Sequence, residues 1–396
     1  MMAKFFFIVP PLTGHINPTL GLGKELIERN HEVFWISFDP ELEKQLPEKG
    51  KLLLIPFSLS EEEKSNLLTY IEHLKKKVVY GIDSLKFLYE DVLIPMNNYI
   101  IDGISELLTD NSPDIVITDH QIFAGAISCF KQKIPYVTSV TAPASIKINK
   151  NLPMVHQWES EQVIAFQKTH GIMGDQRIDC SNLLTLVYTS KEFFGDSQLP
   201  SYYKFIGPII NSRKENISFN WDKLNLDNKS PKILVSIGTT FDHEQKLVFF
   251  NKVIDAFRNE KITVVLVSDP KLFTHIPDNF IIQQKVPQLE IIPHMQAVVC
   301  HGGNNTVCES LSFGIPLVVI PIAYDQSYVS GCVTENFAGI RLKFNRFKSQ
   351  HLKEAIHLII NDKKYKNGAK RIQKSFINAG GLQKGAHYLE KLIYKK

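Results

Sequence analysis

The residues of this chain best placed to do chemistry lie in one run, HGGNNTVCESLSFGIPLVVIPIAYDQ, at 301–326. It follows an apolar run that reads as a strand and opens a segment that reads as a helix. His301, Gly302 and Gly303 occupy the turn. Glycine lets backbone amides approach an anion closely, and a helix N-terminus presents unpaired N–H groups with partial positive charge. Asn304, Asn305 and Thr306 follow, the last two adding side-chain donors. This is a phosphate cradle without a P-loop lysine; the chain has no GxxxxGK[ST] motif, which argues against a nucleoside triphosphatase. Glu309 stands one turn further on, where a carboxylate can accept hydrogen bonds from ribose hydroxyls. Taken alone, such a glutamate reads as a solvated residue of a surface helix.

A second set lies near the start. His15, in PPLTGHINP, sits where the first strand hands over to a helix expected from Pro18 to Arg29. With an ordinary pKa near ~6.5, a histidine there could serve as a general base. Asp119 ends the run DIVITD and could hold the imidazole in one tautomer. Each has a plainer reading, a structural hydrogen bonder for His15 and a helix N-cap for Asp119. Asp114 is the rival carboxylate, but it opens its strand and so lies at the wrong end.

The elements that must position these groups alternate throughout. FFFIVP (5–10), EVFWIS (32–37), DIVITD (114–119), IPYVTS (134–139) and LLTLVYTS (183–190) are continuous apolar runs, with a helix expected over 124–131. Such runs fit parallel strands covered on both faces, a doubly wound α/β domain. The polar stretch 211–230 then reads as a linker. The alternation restarts with KILVSIG (232–238), a helix over 244–258, ITVVLVS (262–268), NFIIQQ (279–284), AVVCHGG (297–303) and PLVVIP (316–321). The tail from about Gln350 reads as helical, broken at Gly380–Gly381. Ligands of such sheets bind at the carboxyl ends of strands, so two sheets facing a central cleft would take one ligand from each side. Architecture alone leaves a non-catalytic two-domain binding protein equally open.

Composition narrows the partners. A net charge of +4 over 396 residues, with no dominant basic run, gives no case for nucleic acid or a membrane surface. The five scattered cysteines, odd in number and without CxxC spacing, fit reduced thiols and a cytoplasmic location. KFFFIVPPL is too short to span a membrane, so no integral membrane segment is expected. There is no Asp-x-Asp triplet and no His/Cys cluster at ligand spacing, so no metal is expected.

The segment 301–326 closely resembles the signature of the family 1 UDP-glycosyltransferases, among them bacterial macrolide and carotenoid glycosyltransferases. That signature is His-(Gly/Cys)-Gly-x-Asn-(Ser/Thr)-x-x-Glu, then Gly-x-Pro, then Asp-Gln. Here His301, Gly303, Asn305, Thr306, Glu309, Gly314, Pro316, Asp325 and Gln326 match it. The resemblance implies the GT-B fold, with a C-terminal helix crossing back to the N-terminal domain. It divides the chain into an acceptor domain (1–210), a linker (211–230), a nucleotide-sugar domain (231–375) and the returning helix (376–396).

By position, the resemblance implies that His301, Asn305 and Thr306 hold the diphosphate, with Gly302, Gly303 and Asn304 beside them. Glu309 holds the ribose, and Asp325 and Gln326 hold sugar hydroxyls. Gly238-Thr239-Thr240 matches a loop that also touches the diphosphate. KVPQLEII resembles the family's Trp-x-Pro-Gln, which places Val286 and Gln288 at the base. Lys285 replaces the stacking Trp, which leaves UDP and TDP donors both open. Gly14, His15 and Pro18 match the family's Gly-His-x-x-Pro, and Asp119 falls at the Asp of its His–Asp dyad.

The implied reaction is inverting transfer of a hexose, glucose by default, to a hydroxyl of a small apolar acceptor. The nucleotide sugar is a co-substrate and no cofactor is expected; the state is monomer or dimer. The resemblance is weakest over 57–97 and 147–179. There Phe87, Tyr89, Met96, Ile146, Met154, Trp158 and Phe166 could line an acceptor pocket, although helix packing suits most of them better. A same-fold nucleotide-sugar epimerase and a non-catalytic accessory protein are the competing readings. A lipid-linked transferase would need a Gly-rich N-terminal loop, which PPLTG is not.

Overall fold

The computed structural model describes residues 2–56, 62, 69, 79, 81, 83–146, 152–195, 198–210, 217–225, 230–238, 243–323 and 325–393. The chain forms two compact units. One comprises Met1–Lys191, Asp196–Ser212 and Asn378–Lys396; the other comprises Glu192–Gly195 and Arg213–Ile377.

The first unit is a sheet of seven parallel strands in the order β3-β2-β1-β4-β5-β6-β7. They are β1 (Lys4–Ile8), β2 (Glu32–Ser37), β3 (Lys51–Leu54), β4 (Ile115–Asp119), β5 (Tyr136–Val140), β6 (Thr185–Val187) and β7 (Tyr203–Phe205). The helices α1 (Thr13–Glu28), α2 (Ile94–Asn111), α3 (Phe123–Gln132) and α4 (Pro153–Thr169) alternate with them. Strand side chains alternate between faces, and β1 shows why its run is apolar throughout. Phe5 and Phe7 pack with Leu22 and Trp35 on one side of the sheet, while Phe6 and Ile8 pack with Phe34, Ile104 and Phe123 on the other. At ~1.5–3 kcal/mol per fully buried side chain, this strand contributes heavily to the unit's stability.

The first helix begins earlier than its sequence suggests. It starts at Thr13 and carries Pro18 within it. Proline removes one donor, which releases the Gly14 carbonyl, and the packing of Ile16, Leu20 and Leu22 compensates. His15 therefore lies in the opening turn of α1 and not in a loop.

The second unit carries six parallel strands in the order β10-β9-β8-β11-β12-β13. These are β8 (Lys232–Ser236), β9 (Thr263–Val267), β10 (Phe280–Gln283), β11 (Ala297–Cys300), β12 (Leu317–Val319) and β13 (Gly339–Arg341). Around them run α5 (Trp221–Asn225), α6 (His243–Phe257), α7 (Asn304–Ser312), α8 (Gln326–Glu335), α9 (Ser349–Asn361) and α10 (Lys363–Ala379). The core is again double-sided: Leu234 joins one cluster, Ile233 and Val235 the other. Part of the stretch expected as linker is structured. Leu224 of α5 is fully buried in this unit's core, with Phe219 and Trp221 packed against it.

The chain ends in α11 (Gly381–Ile393), which belongs to the first unit. Gly380 and Gly381 both have positive φ, which separates α10 from α11. Ala386 and Leu389 join the core of α1, and Arg29 reaches Glu390 at 2.9 Å.

Candidate active site

In each unit the strand order reverses beside the first strand, between β1 and β4 and between β8 and β11. This is where a doubly wound sheet opens its ligand crevice. His15 and Asp119 fall at the first of these places, and the run from His301 to Thr306 at the second.

At the first, the end of β4 and the start of α1 bring Asp119 and His15 together. His15 Nδ1 lies 2.9 Å from Asp119 Oδ2. Thr141 Oγ1, just past β5, lies 2.9 Å from the same nitrogen and donates to Oδ2 at 3.3 Å. Asp119 Oδ1 accepts the backbone N–H of Gln121 at 2.9 Å. Asp119 is buried. Burial alone would raise its pKa, but the charges of His15 and His120 outweigh this and hold the carboxyl far below its ordinary range. An anionic acceptor facing Nδ1 demands the Nδ1–H tautomer of His15. Nε2 is then left with its lone pair, as a general base requires. Asp114 is engaged elsewhere, accepting the Lys4 backbone N–H at 2.9 Å where β1 begins.

Two neighbours were not visible in the sequence. Thr141 is one; it is 126 positions from His15 and no motif marks it. His120 is the other. Its ring stacks on that of His15, with centroids 5.5 Å apart and planes at 10°. The ligand-type atoms of His15, Asp119 and His120 lie within 4.8 Å of one another, a grouping that spacing did not suggest. The hydrogen bond between His15 and Asp119 already engages two atoms of this trio with each other.

At the second switch point, β11 runs into His301-Gly302-Gly303 and α7 begins at Asn304. Gly303 is the N-cap of this helix and supplies no side-chain hydrogen bond to the first turn of Asn304, Asn305 and Thr306. The His301 ring fits between two glycines. A Cβ on Gly303 would come 2.7 Å from its Nε2, and one on Gly238 would come 2.9 Å from its Cε1. Its Nδ1 is buried without a hydrogen-bond partner among the described residues. Burial pulls the pKa of His301 down to about 4, so the ring is neutral at neutral pH.

Deeper in this site, Gln288 Nε2 donates to Glu309 Oε2 at 2.6 Å and stands 3.5 Å from Thr306 Oγ1. Glu309 is thus buried and partnered, unlike the solvated residue that a lone helix glutamate suggests. Val286 is buried beside them and Lys285 is exposed. Gln326 Oε1 accepts the backbone N–H groups of Ile322 at 2.9 Å and Ala323 at 3.1 Å. Its carbonyl therefore shapes its own loop, while Asp325 precedes α8 at the same corner. Thr239 and Thr240 lie outside the described residues.

The aromatic residues singled out between 57 and 179 are largely core. Tyr89 and Phe166 are buried in one cluster, with Met96 and Trp158 packed against it, and Phe87 is buried too. Met154 is exposed.

Residues 252–383 match the model of the erythromycin biosynthesis protein CIII-like C-terminal domain. The chain is 27% identical to the NDP-glycosyltransferase YjiC of Bacillus subtilis (strain 168), covering 97% of this chain and 96% of that one. It is 29% identical to the uncharacterized UDP-glucosyltransferase YojK of the same organism, covering 100% and 98%. The crystal structure of glycosyltransferase VinC in complex with dTDP superposes with a TM-score of 0.71 at 16% identity, covering 99% and 100%. Similarity that runs through both units and the segment that carries the signature supports a glycosyltransferase of the GT-B fold, similar to the family 1 enzymes and acting on a nucleotide-sugar donor.

Proposed function

We propose that the chain is an inverting transferase that moves a hexose, glucose by default, from a nucleoside diphosphate to a hydroxyl of a small, apolar acceptor. The observation that carries this is the 2.9 Å contact between His15 Nδ1 and Asp119 Oδ2. In the proposed reaction His15 Nε2 takes the acceptor proton as the oxygen attacks the anomeric carbon. Asp119 then stabilises the imidazolium, and the bond to the leaving diphosphate breaks.

On the donor side, the N-terminal amides of α7 and the neutral His301 meet the diphosphate, joined by Thr239 and Thr240. The orphaned Nδ1 supports this role, because buried polar atoms without partners ordinarily await one. Glu309, positioned by Gln288, takes the ribose. Val286 and Gln288 flank the base, and Asp325 with Gln326 takes sugar hydroxyls. Helix amides and a neutral donor suffice to stabilise diphosphate charge in this reading, so transfer proceeds in EDTA.

The base remains the open half of the donor. The exposed Lys285 supplies no stacking surface, and relatives carry both UDP and dTDP in their names. The deciding experiment measures nucleotide release from UDP- and TDP-sugars in EDTA with aromatic and terpenoid acceptors. Acceptor-dependent release that is lost in His15→Ala supports the reading and names the donor. Release that ignores acceptor, or that persists in the variant, overturns it. Interconversion of free nucleotide sugars without acceptor would support an epimerase instead.

A further inference from the structure

Asp119 has two carboxylate oxygens and two imidazoles beside it. Oδ2 takes His15 at 2.9 Å, and Oδ1 stands 3.4 Å from Nδ1 of His120. That second separation is an ion-pair distance without hydrogen-bond alignment, and the nitrogen is buried with no hydrogen-bond partner among the described residues. The rings stack nearly parallel, 5.5 Å between centroids. We propose that His120 is a positioning residue of the base: it competes with His15 for the Asp119 carboxylate, and a proton on His120 disables transfer.

The physical argument is a count of charges. One anionic carboxylate and two neutral imidazoles form an array of charge −1. A first proton makes the array neutral; a second would leave a net positive charge in a buried place and set two cations face to face. The array therefore accepts one proton far more readily than a second. When that proton sits on His120, His15 is still neutral and can still accept one. Yet Asp119 is already neutralised by its neighbour and no longer stabilises the imidazolium that His15 must become.

The surroundings fit this competition. Burial pulls the His120 pKa down, but the charge and polar contact of Asp119 push it up further, with help from the Ser139 backbone and then Asp179, and the net direction is up. Among the described residues, the charged and titratable groups facing His120 are Asp119 at the end of β4, His15 from α1, and Asp179. Asp179 is held by Arg177 at 2.6 Å. Tyr188 faces Asp119 from beyond β6, and its hydroxyl, pushed up by burial, remains neutral. No second carboxylate stands close enough to relieve Asp119 of either imidazole among the described residues.

This proposal rests on the reading of His15 as the base, so its test needs one arm that does not. The first arm compares the pH dependence of kcat/KM in the wild type and in His120→Gln, which keeps a donor facing Oδ1 but cannot titrate. The acid limb is expected to move to lower pH by about half a unit or more, whatever the plateau value, because one of two competing proton acceptors is gone. A plateau that changes while the limb stays where it is means that His120 only packs, and overturns the proposal.

The second arm follows the imidazole resonances of histidine-labelled protein by NMR, without substrate, in the wild type and in Asp119→Asn. His120 is expected to titrate at lower pH once the carboxylate is removed. A His120 titration indifferent to Asp119 overturns the sharing even if transfer is robust. Should no acceptor be turned over, the transferase reading fails by itself while this arm still decides whether the carboxylate is shared.

Discussion

The two switch points are built alike and treat a histidine in opposite ways. Each lies beside the first strand of its sheet, and each offers an imidazole at the carboxyl edge. In the first unit His15 rests against a buried carboxylate 2.9 Å away. In the second His301 is enclosed by Gly238 and Gly303, with no acidic partner, and burial takes its pKa down to about 4. The same side chain is thus set against an anionic partner in one place and kept from gaining a proton in the other. What differs is the neighbour supplied by the next strand: Asp119 at the end of β4, glycine amides at the end of β11. A carboxylate would repel a diphosphate, and glycine amides could not stabilise an imidazolium.

The sharpest way to break this comparison is to remove each histidine and ask what is lost. His15→Ala is expected to lower kcat by about 10³-fold while donor affinity stays within about twofold. Asp119→Asn should cost about 10²–10³-fold in kcat, since an amide can turn its NH2 toward Nδ1 and favour the wrong tautomer, and it supplies no charge. Steady-state kinetics paired with calorimetric titration of the donor would check both. A loss of donor binding in His15→Ala would erase the division of labour.

His301→Gln is expected to do the reverse, weakening donor binding about 10–100-fold, as loss of a hydrogen bond to a charged group does. Because His301 is neutral well above pH 4, wild-type donor affinity should be nearly flat between pH 5.5 and 8. Calorimetry at three pH values tests this, and a donor affinity that rises steeply on acidification would mean that His301 binds as a cation.

Much of this contrast could be read from the chain itself. The strand-ending positions of Asp119 and His301 followed from apolar runs that stop at a polar residue, and the signature at 301–326 singled out the residues that open α7. What could not be read is what needs the third dimension. Thr141 meets His15 because β5 lies beside β4, and Gln288 meets Glu309 across two elements. His120 is hidden differently. It follows Asp119 directly, so strand alternation would send the two side chains to opposite faces, but the chain leaves the strand there and both reach the same carboxylate cluster. Local patterns also misplaced the start of α1, where Pro18 suggests a first turn and packing of Ile16 extends the helix back to Thr13. Leu224 looked like linker because one apolar residue in a polar stretch has no period, yet it is fully buried. The edge strands β7 and β13 have three residues each, too few to show a pattern.

The smallest effect probes the comparison through stability. His301 has its pKa moved from 6.5 to about 4 in the folded chain. Between those values the unfolded chain carries a proton at this position and the folded chain does not. Unfolding then takes up a proton, so folding stability falls as pH drops, by about 1.4 kcal/mol per pH unit. Above pH 6.5 both states are neutral and the term vanishes. Asp119 contributes nothing to this window. Its folded value is depressed, so its stabilisation is present above the unfolded value near ~3.9 and is lost only as the pH falls below that. Replacing His301 by Gln removes the acid-side loss and leaves every other group in place. Going from pH 7.5 to 5.5, the wild type should therefore lose about 1 kcal/mol more than His301→Gln, roughly 2–4 °C in the melting temperature of a unit this size. The readout is the difference between two pH values within each protein, so a uniform change in the variant's stability does not disturb it. Equal slopes in both proteins would mean that His301 takes a proton in the folded state, and the contrast between the two histidines would lose its basis.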